Sequence, residues 1–226
     1  MPNNEFGDFQ TPVGLATRIA SLLGAGGFRR VLEPTCGRGG FLEAVRGPDQ
    51  ERIGIEVQDG HAREAARFGT ILRRNVFTLD LGEDLRWTTS GRLLVVGNPP
   101  WVTSADLSRF GSANIPAKSN LKGLTGLEAR TGSANFDVAE YIWLKLIREL
   151  APQHPTIALL CKTQVARNVL AYCAANELPV DGGRLHRVDS MRWFGAAVDA
   201  GLFVLHVRPG ARDYTCEIHD SLESGP

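Results

Sequence analysis

An apolar run that ends abruptly in Asn-Pro-Pro-Trp constrains the fold of this chain more than any other stretch. Residues 93–97 read Leu-Leu-Val-Val-Gly and predict a short buried strand. Pro99 and Pro100 then fix φ twice and remove two N–H donors, so the strand has to end there. The Asn98 amide and the Trp101 indole are thereby placed at the carboxyl edge of a sheet, where open α/β sheets bind ligands. Taken alone, the stretch is also explained as a strand terminator followed by a surface tryptophan.

Strand and helix patterns alternate along the chain before and after this run. The strand patterns fall at 28–33, 52–57, 70–77, 92–97, 156–161, 184–188 and 201–207. The helix patterns fall at 12–23, 41–45, 61–68, 138–150 and 165–175. For the first helix we expect Thr11 as N-cap and Pro12 in the first turn. This order predicts an α/β fold built on a doubly wound, mostly parallel sheet.

The length of 226 residues suits one large α/β domain with a proper core. We expect that domain to cover 9–210, with tails at 1–8 and 211–226. A stretch at 102–135 is rich in Ser, Gly and Asn, mildly basic and weakly periodic, and it predicts a long loop insertion. A connection of this length inside a domain is usually functional or disordered.

Charge and cysteine content narrow the class of protein. The 25 basic and 25 acidic residues cancel, which argues against tight binding of nucleic acid by this chain alone. The four cysteines form no Cys-x-x-Cys pair and have no histidine at metal-ligand spacing, so we expect reduced thiols and no metal site. The amino terminus is polar and no apolar run reaches bilayer length. These features predict a cytoplasmic protein with no membrane partner.

A glycine-rich turn follows the first predicted strand, in the sequence Glu33-Pro-Thr-Cys-Gly-Arg-Gly-Gly-Phe41. It is neither a Gly-x-Gly-x-x-Gly motif nor a phosphate-binding loop with Gly-Lys-Ser/Thr. Glycines let the backbone approach a ligand, and an acid at the strand end can accept a hydrogen bond from a ligand ammonium. Glu56 ends the second strand, where an acid suits two ribose hydroxyls. The pattern predicts a nucleoside ligand with an amino-acid tail; a tight turn with a solvated Glu33 is the plainer alternative.

Taken in order, these motifs resemble the class I S-adenosylmethionine-dependent methyltransferases, and most closely the N6-adenine DNA methyltransferases of the gamma motif order. The resemblance implies a Rossmann-like sheet of seven strands, one of them antiparallel, and S-adenosyl-L-methionine as cofactor. Residues 9–12, Phe-Gln-Thr-Pro, match the family's first motif, which helps hold the methionine moiety. The cofactor-binding residues that the resemblance implies are Thr11, Pro12, Glu33, Thr35, Cys36, Gly37, Gly39, Glu56, Asn75, Val76, Phe77 and Asn98.

The chain departs from the family at two of these positions. The family usually has Asp at the position of Glu33, so the Glu33 carboxylate reaches one methylene further. The family usually has an acid after the third strand, which binds the adenine N6 of the cofactor. Here Asn75 matches it and can use its amide oxygen, or Asp80 serves through a shifted turn. Phe77 lies against the cofactor adenine or belongs to the core.

The same resemblance implies that Asn98, Pro99, Pro100 and Trp101 form the acceptor site. An exocyclic amine is a poor nucleophile because its lone pair is delocalised into the ring. The Asn98 side-chain oxygen and the Pro99 carbonyl can accept its two N–H bonds and so orient it for attack. We expect Trp101 to stack on the flipped base, with Phe194 on its other face. The alternatives are that Trp193 takes the place of Phe194, or that Phe194 is a core residue.

The predicted function is methylation of adenine N6 in DNA, in a restriction-modification or phage-defence system. Methylation of rRNA adenine or of protein glutamine is the alternative among enzymes. A catalytically silent nucleic-acid-binding subunit is the alternative from another class. The family usually has a target-recognition domain after the catalytic domain, and no such separate domain is evident here. We therefore expect a separate specificity subunit, or a contribution from 102–135, where Lys118 and Lys122 could contact phosphates.

Overall fold

Eight strands form one mixed sheet in the computed structural model, which describes residues 10–103 and 137–223. The strands are β1 (Arg30–Glu33), β2 (Glu51–Ile55), β3 (Thr70–Leu72), β4 (Leu93–Gly97), β5 (Thr156–Lys162), β6 (Val180–Val188), β7 (Ala200–Val207) and β8 (Asp213–His219). The helices are α1 (Val13–Leu22), α2 (Gly40–Ala44), α3 (Asp59–Ala65), α4 (Val138–Leu150), α5 (Thr163–Ala175) and α6 (Ser190–Phe194). Short 3₁₀ turns cover Ala25–Gly27 and Ala151–Gln153.

The strand order is β3-β2-β1-β4-β5-β7-β6-β8, and only β7 runs against its neighbours. The pairs β1–β2, β1–β4, β2–β3, β4–β5 and β6–β8 are all parallel. This confirms the predicted mostly parallel sheet with one antiparallel strand. Since β1 is followed by β2 on one side and β4 lies on its other side, the strand order reverses between β1 and β4. That reversal is where a doubly wound sheet opens a crevice for ligands.

The prediction of seven strands is wrong, because β8 adds an eighth. It lies in residues 211–226, which were expected to be a frayed tail. Tyr214 and Cys216 are half-buried and pack against the core, while their neighbours along the strand face solvent. The strand pairs with β6, which begins at Val180 rather than near 184 and contains a bulge at Gly182–Gly183. Charged residues interrupt the apolar pattern of β8, so its periodicity is hard to read from the sequence.

The core forms two layers, one on each face of the sheet. The β4 run alternates between them, with Leu93 and Val95 facing the side covered by α4 and α5, and Leu94 and Val96 facing α1. Because both faces are covered, the strand reads as a continuous apolar run. No helix within the described ranges is long and apolar enough to cross a bilayer.

Two local expectations need correction, and others cannot be placed. The α1 helix begins at Val13 with Pro12 as its cap residue, and no side chain caps it, so Thr11 is not the N-cap. The Pro12 carbonyl instead accepts the N–H groups of Leu15 and Ala16. The third strand ends at Leu72 because Asn75 forms a turn. Phe9, the tail at 1–8, Lys118 and Lys122 lie outside the described residues, as does the insertion at 102–135 apart from Val102 and Thr103.

Candidate active site

The predicted site residues follow four neighbouring parallel strands and meet at the carboxyl edge of the sheet. Glu33 ends β1, Glu56 follows β2, Asn75 comes three residues after β3, and Asn98 follows β4. The register aligns Glu33 with Gly54 and Ile55 with Leu72. A Cβ atom at Gly97 would lie 3.4 Å from Pro34 Cδ and 3.7 Å from Glu33 Cγ, so the ends of β1 and β4 are in contact.

The Glu56 carboxylate fixes the glycine turn from the next strand. Its Oε2 accepts the Gly37 N–H at 2.9 Å and its Oε1 accepts the Gln58 N–H at 2.7 Å. The Cys36 N–H donates to the Ile55 carbonyl at 2.9 Å, which extends the pairing of β1 with β2 into the turn. Each Glu56 oxygen keeps a second lone pair for a ligand.

The Glu33 carboxyl is buried beneath the same turn, with 3% of the residue exposed. Its Oε2 accepts the Leu42 N–H at 3.1 Å, at the start of α2. Burial raises the pKa of Glu33 well above its usual range, the N–H groups of Leu42 and Phe41 oppose that rise, and the charge of Glu56 adds to it. A cation beside this carboxyl would therefore be favoured.

The segment at 10–12 lies across the glycine turn. Gln10 Oε1 accepts the Arg38 N–H at 3.2 Å. Gly37 has φ +50°, and a Cβ there would lie 2.8 Å from Gln10 Nε2. A Cβ at Gly40 would lie 3.4 Å from the Thr11 carbonyl oxygen. Residues 10–12 and the glycine turn therefore form one surface.

Gly54 supports the turn from below and was not selected by the sequence analysis. A Cβ at this position would lie 2.7 Å from Cys36 Sγ and within 3 Å of the Ile71 and Leu42 side chains. Cys36 is buried, and this burial, followed by the charges of Glu33 and Glu56, raises the pKa of its thiol. The Thr35 hydroxyl is buried as well and makes no hydrogen bond within the described part of the chain.

The two alternatives after β3, Asn75 and Asp80, hold separate turns. The Leu72 carbonyl accepts both the Glu56 N–H at 3.1 Å and the Arg74 N–H at 2.8 Å. Asn75 Oδ1 accepts the Phe77 N–H at 3.0 Å, closing a tight turn. The Asp80 carboxylate instead accepts the N–H groups of residues 82 and 83 and holds a separate turn.

Phe77 is buried, whereas a neighbour of Glu56 presents apolar surface at the site. The Phe77 ring packs edge-on against Tyr141 of α4, with centroids 5.4 Å apart, which matches its core alternative. Val57 directly follows Glu56 and is 47% exposed. The sequence analysis missed Val57, because nothing in the sequence indicates that this valine is exposed.

Trp101 and Phe194 come together, but as touching rings. Trp101 is 8% exposed, and its indole N–H donates a long hydrogen bond of 3.4 Å to the Leu160 carbonyl. The Phe194 ring lies edge-on to it at 69°, with centroids 5.1 Å apart. This spacing leaves no room for a planar base between the two rings.

Trp193, the rival of Phe194, points elsewhere. Its ring lies beneath the guanidinium groups of Arg18 and Arg192, at 5.8 and 5.1 Å, and against Gly14 of α1. The short helix α6 therefore directs consecutive aromatic side chains to different neighbours, and Phe194 is the one beside Trp101.

Two curated methyltransferases are similar in sequence to this chain. Over 232 aligned residues the chain is 31% identical to the Type II methyltransferase M.NspV of Nostoc sp., covering 97% of this chain and 48% of M.NspV. It is 29% identical over 118 residues to the Type II methyltransferase M.CvrRI of Paramecium bursaria Chlorella virus XZ-6E, covering 51% of this chain and 30% of M.CvrRI. No family model matches the chain.

Solved structures share the fold at low sequence identity. A class I S-adenosylmethionine-dependent methyltransferase from Listeria monocytogenes superposes with a TM-score of 0.62 at 14% identity, over 95% of this chain and 67% of that one. The M protein of the Type I restriction enzyme EcoKI superposes with a TM-score of 0.59 at 17% identity, over 92% and 47%. The chain therefore has the class I methyltransferase fold.

The chain spans less than half the length of the two curated relatives above. The superposed structures confirm the class I methyltransferase fold and the doubly wound sheet that the sequence analysis expects. The roles of individual residues rest on the geometry described above.

The fold also brings together charged residues that the sequence analysis missed. They lie beside the residues that follow Trp101. The Val138 N–H donates to the Val102 carbonyl at 3.0 Å, joining the start of α4 to the residues after Trp101. Asp137 accepts the Ala139 N–H at 3.0 Å and pairs with Lys162 Nζ at 2.9 Å. An aspartate before an apolar helix is a recognisable N-cap signal, but its pairing with a lysine at the end of β5 depends on the sheet order.

Proposed function

We propose that this chain is the catalytic part of a DNA methyltransferase that transfers a methyl group from S-adenosyl-L-methionine to adenine N6. The observation that carries the proposal is the meeting of two half-sites at one sheet edge. The acidic glycine turn follows β1, and Asn98-Pro-Pro-Trp follows the adjacent β4. The similarity to two Type II methyltransferases supports DNA as the substrate.

The residues at the turn fit the cofactor. Gly37 and Gly39 have positive φ, a backbone conformation that favours glycine and shapes this turn. The buried hydroxyl of Thr35 offers a hydrogen bond, and the buried carboxyl of Glu33 suits an ammonium group. Glu56 would bind the ribose hydroxyls through its remaining lone pairs. When bound, the cofactor supplies a methyl group activated on a sulfonium.

Asn75 and Val57 would hold the adenine of the cofactor. Asn75 Oδ1 already accepts the Phe77 N–H, so the turn is fixed before any ligand arrives. The second lone pair of the same oxygen would accept a hydrogen bond from the adenine N6 amine. The exposed apolar surface of Val57 would cover one face of the adenine ring. The Asn75 assignment is preferred to Asp80 because the Asp80 carboxylate holds a separate turn.

On the acceptor side, Asn98 and Pro99 orient the nucleophile. The Asn98 side-chain oxygen and the Pro99 carbonyl would accept the two N–H bonds of the target amine and aim its lone pair at the methyl group. Pro99 and Pro100 stiffen the backbone that holds both acceptors. Rate acceleration then comes from positioning and charge stabilisation, with no strong base required.

The aromatic pair would receive the flipped base after a rearrangement. Since Phe194 touches Trp101, a base can stack between them only when Phe194 swings away. Phe194 is the last residue of α6 and precedes Gly195, which has φ +65°, so its position depends on a short helix and a glycine turn. Stacking on each ring is worth roughly 1–3 kcal/mol.

Target selection is proposed to come from a separate specificity subunit, because the chain carries no net charge. Transfer of labelled methyl to duplex DNA, single-stranded RNA and protein, each supplied separately, tests the substrate class. We expect label in DNA, recovered as N6-methyladenine after digestion. Label only in RNA adenine or in protein glutamine would replace DNA with one of the alternative substrates. If no cofactor binds, the chain is a silent subunit.

A further inference from the structure

One face of α4 runs alongside the segment that follows Asn75. Three side chains, spaced by four residues along the helix, contact three alternate residues of that segment. The pairs are Tyr141 with Phe77, Lys145 with Leu79, and Glu149 with Leu81. Side chains at i, i+4 and i+8 lie on one face of a helix, so the three contacts form one continuous row along α4.

The two charged side chains in this row, Lys145 and Glu149, are hydrogen-bonded to backbone groups of the segment. Lys145, 8% exposed, donates from Nζ to the Leu79 carbonyl at 2.6 Å and to Glu149 Oε1 at 2.5 Å. Glu149 Oε2 accepts the Leu81 N–H at 2.8 Å. A Cβ at Gly82 would lie 3.3 Å from the Glu149 carbonyl oxygen, so the segment is also close to the helix backbone. Charge-assisted hydrogen bonds in buried surroundings are the stronger kind.

The segment is otherwise held by its buried apolar side chains and by its own turns. Residues 73–92 contain neither a helix nor a strand. Asn75 closes its turn locally, since its Oδ1 accepts the Phe77 N–H and its carbonyl accepts two further N–H groups. The glycine turn has independent supports in Glu56 and Gln10. Loss of the charged contacts to α4 would therefore let the segment shift relative to the helix and leave the glycine turn in place.

We propose that Lys145 and Glu149 are positioning residues for the adenosine half of the cofactor, acting through the segment that carries Asn75. The inference rests on the proposed function, since it assumes that Asn75 and Val57 contact the cofactor adenine. Neither charged residue touches the ligand. They fix where the adenine-binding turn lies, while the amino-acid tail of the cofactor is held by the glycine turn and Glu33.

The test compares two ligands by calorimetry. S-adenosylhomocysteine has the adenosine and the amino-acid tail, and methylthioadenosine has only the adenosine. In Lys145→Met and Glu149→Leu we expect both ligands to bind about tenfold more weakly than in the unaltered chain. The ratio of their dissociation constants should stay unchanged, because the tail site is intact.

The control is Arg148→Met on the same helix. Arg148 donates to the Tyr172 hydroxyl at 3.0 Å, on the side of α5, so its loss should weaken helix packing without changing ligand affinity. Glu149→Gln retains an acceptor for the Leu81 N–H and should restore most of the affinity lost in Glu149→Leu. Lys145→Met covers the case in which Glu149→Leu fails to fold.

Unchanged affinity in folded Lys145→Met, or in folded Glu149→Leu, would overturn the positioning role. A changed ratio between the two ligands would also overturn it, because the damage would then extend to the tail site. Failure of the unaltered chain to bind either ligand would instead contradict the proposed function.

Discussion

Glu56, at the end of β2, accepts the N–H of Gly37 at 2.9 Å and so fixes the turn that follows β1. One carboxylate therefore shapes the glycine turn and offers its remaining lone pairs at the same edge. Because its second oxygen accepts the Gln58 N–H, the side chain cannot rotate away without losing two backbone hydrogen bonds. Under the proposed function, the cofactor site is preorganised by a group that would also bind the ligand.

Glu56→Gln separates these two contributions. The amide oxygen can still accept the Gly37 N–H, so the chain should fold. The ribose hydroxyls lose a charged acceptor, and hydrogen bonds to charged groups contribute about 1.5–3 kcal/mol each. We expect S-adenosylmethionine to bind at least roughly tenfold more weakly by calorimetry. Equal affinity would show that Glu56 supports the turn alone.

Glu33→Gln should stabilise the chain at neutral pH. The pKa of folded Glu33 is raised above its ordinary value of 4.5, so the folded state holds a proton that the unfolded state has lost. Its contribution to stability is therefore lost as pH rises from 4.5 toward the folded pKa. Relative to the unaltered chain, the variant should gain roughly 1 kcal/mol at neutral pH and nothing near pH 4.

Urea unfolding at both pH values measures this difference, and calorimetry should show weaker cofactor binding in the same variant. A stability difference that is independent of pH would contradict the buried carboxyl as its source.

Gly54→Ala tests the packing beneath the glycine turn. The new methyl would meet Cys36 Sγ at 2.7 Å, so overpacking should cost about 1–3 kcal/mol in urea unfolding. Gly60 of α3 is the matched control, because a Cβ there meets nothing within 4 Å. Gly60→Ala should stabilise the chain by up to about 1 kcal/mol, through helix propensity. Similar effects of the two substitutions would contradict the close packing at Gly54.

Phe194→Ala and Trp193→Ala should have opposite profiles. Removing Phe194 takes away the ring beside Trp101, so kcat/KM for DNA should fall by the equivalent of about 1–3 kcal/mol. Removing Trp193 exposes the α1 surface and should lower the unfolding temperature with little loss of methyl transfer. Steady-state kinetics and thermal unfolding of both variants distinguish the roles. A larger kinetic loss in Trp193→Ala would reverse the assignment.

The sequence was informative where the chemistry is local. The β4 run, the glycine turn and Glu56 could each be placed because strand ends and glycines have strong sequence signals, and parallel strands bring their ends to one edge. β8 was missed because charged residues interrupt its pattern and because its pairing with β6 is a tertiary contact. Thr11 was misassigned as a cap because Pro12 itself is the cap residue of α1.

Contacts between distant segments could not be read in the same way. Lys145 and Glu149 have ordinary helix spacing, and only the fold shows that they bind the segment after Asn75. The edge-on contact of Trp101 with Phe194 depends likewise on how α6 lies over β4 and β5. Sequence spacing gives the residues on one element, whereas their partners across the sheet require its strand order.

The most direct test of the central claim is methyl transfer to duplex DNA by the unaltered chain and by Asn98→Ala, with cofactor binding measured on both proteins. Asn176→Ala, at the exposed C-terminal end of α5, controls for loss of an asparagine outside the acceptor site. We predict label in N6-methyladenine for the unaltered chain and the control. Asn98→Ala should lose methyl transfer while it still binds S-adenosylmethionine. Undiminished N6-methyladenine in Asn98→Ala would contradict the account.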